Sequence, residues 1–124
     1  MGGASSPFLS DVCQWEIWQV YWVHEDGTGK ERPALAFSTS AQNQASGYVR
    51  FLKITSEDHP DVPCRLQISA SDSQFPHTGL DKTSWIHFLD EQKVPAANLR
   101  FRRGHINALT AAYLTRRLQK LIGM

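Results

Sequence analysis

Long apolar runs are missing from this chain of 124 residues. Nothing approaches the ~20 consecutive apolar residues that a membrane-spanning helix needs. No bilayer span is expected, and the chain reads as cytoplasmic. Cysteine is scarce, with only Cys13 and Cys64. The pair has no CxxC spacing, which argues against a thiolate zinc site. One disulfide is open to them, but two buried thiols in a reducing compartment is the expectation. No metal and no cofactor is expected. The first ten residues have neither a basic segment nor a long apolar stretch, so they do not read as a secretory signal. Residues 1–12, with Gly2, Gly3, Ser5 and Ser6, read as a flexible tail before one domain over 13–124. A hydrophobic content of 41% is enough for one core and excludes global disorder.

Acidic residues are absent after Glu91. Residues 92–124 carry seven cations (Lys93, Arg100, Arg102, Arg103, Arg116, Arg117 and Lys120), against an excess of six negative charges in the rest. Two readings fit. One is a surface for a polyanion, either nucleic acid or an acidic segment of a partner protein. The other is a solvated helix face and a basic loop.

What is present is mostly strand-like. Residues 15–23 are rich in aromatic and β-branched side chains and predict a first strand. The polar stretch 24–31, with Asp26-Gly27 and Gly29, predicts a mobile hairpin loop. Further strands are expected at 33–38, 47–54, 64–68 and 84–89, with a short sixth at 92–94. Pro33, lacking an N–H, suits the first position of its strand. Residues 39–46 read as a polar turn and 57–63 as an exposed loop. Asn107 is a good N-cap, Gly123 a good C-cap, and Ala111, Leu114, Leu118, Leu121 and Ile122 share one face of a helix over 108–122. Five or six short strands with Gly/Pro turns and one C-terminal helix predict a mainly β domain, a small barrel. Trp15, Trp18 and Trp22 crowd the first strand. A small core cannot cover them all, which points to a homodimer.

Few residues carry chemistry unaided. Gly27-Thr28-Gly29-Lys30 superficially suggests a phosphate loop, but His24 and Glu31 occupy the positions where that motif needs Gly and Ser or Thr. Nucleotide-driven chemistry is rejected. Arg32, between the loop and the second strand, is read as exposed, and its planar fork suits two phosphate oxygens. Thr55-Ser56 end the third strand and could serve as donors or simply as a turn. Of the five histidines, His59 and His77 lie in loops and read as solvated, and His105 as structural. His24, at the head of the mobile loop, and His87, on a strand beside Trp85 and Leu89, are the proton-transfer candidates.

Taken in order, Glu16-Ile17-Trp18, Gly29-Lys30-Glu31-Arg32-Pro33-Ala34-Leu35, Lys53-Ile54-Thr55-Ser56 and Gly79-Leu80-Asp81-Lys82-Thr83-Ser84-Trp85-Ile86 resemble the PemK/MazF family, toxins of type II toxin–antitoxin systems. The resemblance implies an SH3-like β-barrel with a terminal helix, usually dimeric. It also implies a metal-independent endoribonuclease that cuts single-stranded RNA through the substrate's own 2′-OH, leaving a 2′,3′-cyclic phosphate. A cognate antitoxin is the implied protein partner. Arg32 would stabilise the phosphorane or protonate the leaving oxygen, and Thr55, with Ser56 beside it, would hold a phosphate oxygen. His87 falls where relatives place a basic residue and is the first candidate base, ahead of Glu25 and His24. Those two, with Lys30 and Lys53, are the expected substrate contacts. Two positions depart from the family pattern: Trp15 stands where a Gly often begins the first strand, and Leu89 stands where some members carry an acid. A non-catalytic alternative is a binding module of the same architecture, either a gyrase inhibitor like CcdB or a degenerate partner-binding domain.

Overall fold

Period-two alternation sorts the apolar residues of the strands onto two faces. The computed structural model describes residues 8–122. Strands β1 (Glu16–Val23) and β2 (Gly29–Ala36) form an antiparallel hairpin, in register from Ile17↔Leu35 to Val23↔Gly29. Strands β3 (Val49–Thr55), β4 (Arg65–Ile68), β5 (Ser84–Val94) and β6 (Leu99–His105) complete one antiparallel sheet in the order β4-β5-β3-β2-β1-β6. The expected barrel is therefore an open sheet: no pairing joins β4 to β6, so both remain edges.

On one face, Ile17, Leu35, Leu52, Ile54, Ile68, Ile86 and Phe88 pack beneath helix α3 (Ala108–Ile122), which contributes the fully buried Leu114 and Leu118. A helix rather than sheet closure thus covers this face. Asn107 caps α3 as expected, its Oδ1 accepting from Thr110 N at 2.8 Å. Leu121, assigned to the apolar face from the sequence, is instead exposed, and Gly123 lies outside the described residues. The other face holds Trp18, Val20, Trp22, Ala34, Ala36, Phe51, Val49, Val94 and Leu99. Trp18 and Trp22 are only 6% and 4% exposed within the single chain. A second subunit is not needed to cover them.

The N-terminal stretch joins this core. Leu9–Asp11 form a 3-10 turn and Val12 is fully buried, so the folded body includes part of the expected tail; residues 1–7 lie outside the described ones. Cys13 is exposed and Cys64 half-buried, both as thiols, rather than two buried ones. Four elements differ from the sequence reading. The short sixth strand expected at 92–94 is the end of β5, which runs from Ser84 to Val94. Residues read as a polar turn form helix α1 (Ser40–Ser46), held by a reciprocal capping box between Thr39 and Gln42 and ended by Gly47 at φ 86°. A single helical turn, α2 (Phe75–Thr78), precedes β5. Strand β6 was not anticipated, because Arg100, Arg102 and Arg103 interrupt its apolar alternation.

Trp15 explains one departure from the family pattern. Its φ is 72°, in the left-handed region that favours glycine. Its N–H donates to Ala36 O at 2.7 Å, and its carbonyl accepts from Ile106 N at 3.1 Å. The residue ties the end of β2 to the start of α3 while its ring packs against the core under α3.

Candidate active site

Pro33 shapes the site through what it lacks. It pairs with Gln19 on β1, but pairing of β2 with β3 begins only at Ala34↔Lys53. With no N–H on Pro33 to extend that ladder, β2 and β3 part at this point. Arg32 spans the gap: its Nη1 donates to Ile54 O at 3.3 Å. A cavity of about 150 Å³ opens here, lined by Lys30, Arg32, Pro33, Thr55, Ser56 and Glu57 among others.

Arg32 is not at the exposed start of its strand as expected. The strand begins three residues earlier, and Arg32 is only 8% exposed. Its Nε is buried without a hydrogen-bond partner. Burial depresses the guanidinium's pKa, and the carboxylates of Asp90 and Glu57 act in the opposite direction. Thr55 is half-buried, its Oγ1 accepting from Glu57 N at 3.1 Å as β3 turns into the next loop. Ser56 is exposed and faces the same cavity.

Cross-strand register carries the site further. Ala34, Lys53, His87 and Arg65 stand opposite one another across β2, β3, β5 and β4. Directly opposed residues share a face, so Lys53, His87 and Arg65 lie on the face away from α3. Arg32 and Thr55, each two residues along, share it. His87 is 4% exposed, and its Nε2 has no partner. Burial depresses its pKa below the ordinary 6.5; Lys53, His59 and Arg65 depress it further, and Asp90 opposes them. A second cavity, of about 350 Å³, is lined by Lys53, His59, Val62, Pro63, His87, Leu89 and Asp90.

The structure therefore gathers Lys30, Arg32, Thr55 and Ser56 at one cavity and Lys53 and His87 at its neighbour. His24 and Glu25 belong to the hairpin turn, which is closed by His24 N donating to Thr28 O at 2.6 Å, and they line neither cavity. Four groups escaped the sequence reading: Glu57, His59, Arg65 and Asp90. Asp90 supplies the carboxylate that Leu89 does not. The register jumps from Leu52↔Glu91 to Lys53↔His87, so residues 88–90 form a bulge. Asp90 Oδ2 there lies 3.8 Å from Lys53 Nζ. Counting alternate residues along an unbroken strand misses it. Glu57 and Asp58 come from the 57–63 loop, and Asp58 pairs with Arg65. Among the described residues no group of three or more His, Cys, Asp or Glu side chains could hold a metal ion.

Three of the seven C-terminal cations are paired with carboxylates from earlier in the chain. Arg100 pairs with Glu31 at 2.8 Å, Arg102 with Glu16 at 2.7 Å and Arg103 with Asp81 at 3.3 Å. Part of the charge asymmetry of the sequence is thus the arginines of β6 meeting carboxylates of β1, β2 and the segment before β5.

The sequence profile of the PemK-like, MazF-like toxins of type II toxin–antitoxin systems matches residues 13–122. The chain belongs to that family. Solved structures of the MazF fold agree with it. A MazE–MazF complex from Deinococcus radiodurans superposes with a TM-score of 0.69 at 19% identity, covering 91% of this chain and 97% of the other. An endoribonuclease in complex with its cognate antitoxin from a mycobacterial species gives 0.65 at 16% identity, covering 91% and 96%. The Mycobacterium tuberculosis toxin MazF-mt6 gives 0.61 at 17%, covering 86% and 97%. No curated protein matches by sequence. No helix of this PemK/MazF-like chain, among the described residues, is long and apolar enough to cross a membrane.

Proposed function

We propose that this PemK/MazF-family toxin is a metal-independent endoribonuclease acting on single-stranded RNA. One observation carries the reading. The buried side-chain polar atoms without partners among the described residues are Arg32 Nε and His87 Nε2, both on the face away from α3. Burying an unpaired polar group costs roughly 1–3 kcal/mol, and such groups are retained where a substrate will satisfy them. An RNA phosphate offers the acceptors that Arg32 lacks. A ribose 2′-OH offers the proton that a neutral imidazole can take.

The chemistry follows from these positions. His87, kept neutral by burial, removes the 2′-OH proton. The 2′-oxygen attacks phosphorus, and Arg32 stabilises the charge that accumulates on the phosphorane. Thr55 steadies a non-bridging oxygen. The bond to the 5′-oxygen breaks, leaving a 2′,3′-cyclic phosphate. Lys30 and Lys53, on the rims of the two cavities, hold flanking phosphates.

The cognate partner in this reading is an antitoxin whose acidic segment occupies the same cations. Homodimerisation, which the covered tryptophans no longer argue for, rests on the family likeness and is checked by sedimentation at micromolar concentration. The activity is tested by incubating the full chain with single-stranded RNA in excess EDTA. Cleavage with 2′,3′-cyclic termini is expected. A requirement for added Mg²⁺, or 5′-hydroxyl-free products lacking the cyclic phosphate, would overturn the mechanism.

A further inference from the structure

The 350 Å³ cavity beside His87 holds a second imidazole that the mechanism above does not use. His59 lies on the loop between β3 and β4, and its ring stands edge-on to that of His87, with centroids 5.9 Å apart and planes at 77°. Its Nε2 is 3.5 Å from Glu57 Oε2. Unlike His87, its side chain is substantially exposed. Lys53 and Asp90 form the rest of the polar lining.

Cleavage through the 2′-OH moves two protons. One leaves the nucleophile and one must reach the departing 5′-oxygen, since an alkoxide is a poor leaving group. Arg32 is ill suited to donate the second, because a guanidinium holds its proton over all ordinary pH. The two imidazoles around one cavity differ in the way the two tasks require. His87 is fixed on a strand and buried; His59 is solvent-connected and on an irregular loop. Two hydrogen bonds of about 2.8 Å to an intervening phosphoryl group need more room than the present spacing. The loop, not the strand, is the element able to supply it.

We infer that His59 is the general acid of the cleavage reaction, a catalytic partner of His87 across this cavity. The inference rests on the ribonuclease reading. In the balanced step, the 2′-O–P bond forms as His87 takes the 2′ proton. The P–O5′ bond breaks as His59 delivers its proton to that oxygen, and solvent returns both rings to their starting states.

The test uses two substrates cut by the full chain at one mapped bond. One has the natural 5′-oxygen, and the other a 5′-bridging sulfur, a leaving group that needs no proton. His59→Gln and His59→Ala should slow cleavage of the oxygen substrate about 10²–10⁴-fold and the sulfur substrate less than about tenfold. His87→Gln should slow both. The acidic limb of the pH–rate profile should vanish in His87→Gln. The other charged groups facing the pair are Lys53 from β3, Arg65 from β4, Asp90 from β5 and Glu57 from the loop. Equal slowing of both substrates, or wild-type rates in the His59 variants, overturns the assignment of the acid while leaving the ribonuclease reading intact. Failure of the unaltered protein to cut any RNA overturns both.

Discussion

The two faces of the sheet are built from the same strands and spend burial differently. Beneath α3 the core is apolar and packed, with Ile17, Leu35, Ile86, Leu114 and Leu118 fully enclosed, and the buried polar side chains of Gln74 and Ser84 find hydrogen-bond partners. On the opposite face the apolar floor of Trp18, Val20 and Phe51 gives way, within one or two residues, to Arg32, Lys53 and His87. The first face stabilises the fold by removing hydrocarbon from water. The second keeps two polar atoms, Arg32 Nε and His87 Nε2, buried without partners. The contrast teaches that the site's charges are held in place by the scaffold at some cost to it.

That division predicts opposite responses to substitution. Leu114→Ala should cost about 2–5 kcal/mol, because the enclosed side chain leaves a cavity. Its denaturation midpoint should fall while cleavage per folded molecule stays at the wild-type level; loss of cleavage in a folded variant would break the division. Arg32→Met should do the reverse. Replacing a buried, incompletely paired charge by an apolar side chain of similar size is often neutral or stabilising, whereas loss of one preorganised charge costs about 10²–10³-fold in rate. A variant with a markedly lowered midpoint would show that Arg32 is part of the support.

The pH dependence sharpens the comparison. His87 has a depressed pKa, so the unfolded chain binds its proton more readily than the folded one. Stability attributable to His87 is present above pH 6.5 and declines as pH falls below it, until the folded state also protonates. Urea melts of His87→Gln should lack this decline. In the same way the acidic limb of kcat/KM should have its midpoint below 6.5, not at it; a midpoint above would contradict the burial argument. The smallest effect is expected from Asp90→Asn. The carboxylate favours protonated His87, so its loss should move that midpoint further down, with the folded state unchanged because Asp90 is exposed.

Most strands were legible, β1 because it is rich in aromatic and β-branched residues and β4 because it alternates, and α3 because Asn107 and the Leu114–Leu118 spacing mark it. The capping box of α1 was also in the sequence, in Thr39 and Gln42, but was outweighed by the polarity of the segment. Strand β6 was hidden by arginines whose carboxylate partners, Glu31, Glu16 and Asp81, lie far off in the chain. At the site, Arg32, Thr55 and His87 could be nominated from short motifs. The burial of Arg32 could not, since Arg32 fills the gap left where Pro33 ends the β2–β3 ladder. Asp90 and His59 reach the site through a bulge and a loop, features that no periodicity announces.

The pairing of β1 with β6 also has a consequence for synthesis. Gln19 and Phe101 are neighbours in the sheet but about eighty residues apart in the chain. At roughly 5–20 residues per second, β1 waits on the order of several seconds for its outer partner to be made. Strands β2, β3, β4 and β5, which hold Arg32, Thr55 and His87, are all translated before it. The parts of the site therefore exist before the edge of the sheet beside β1 is closed. That interval on the ribosome is the time when a partner binding the uncovered β1 edge could intercept the unfinished chain.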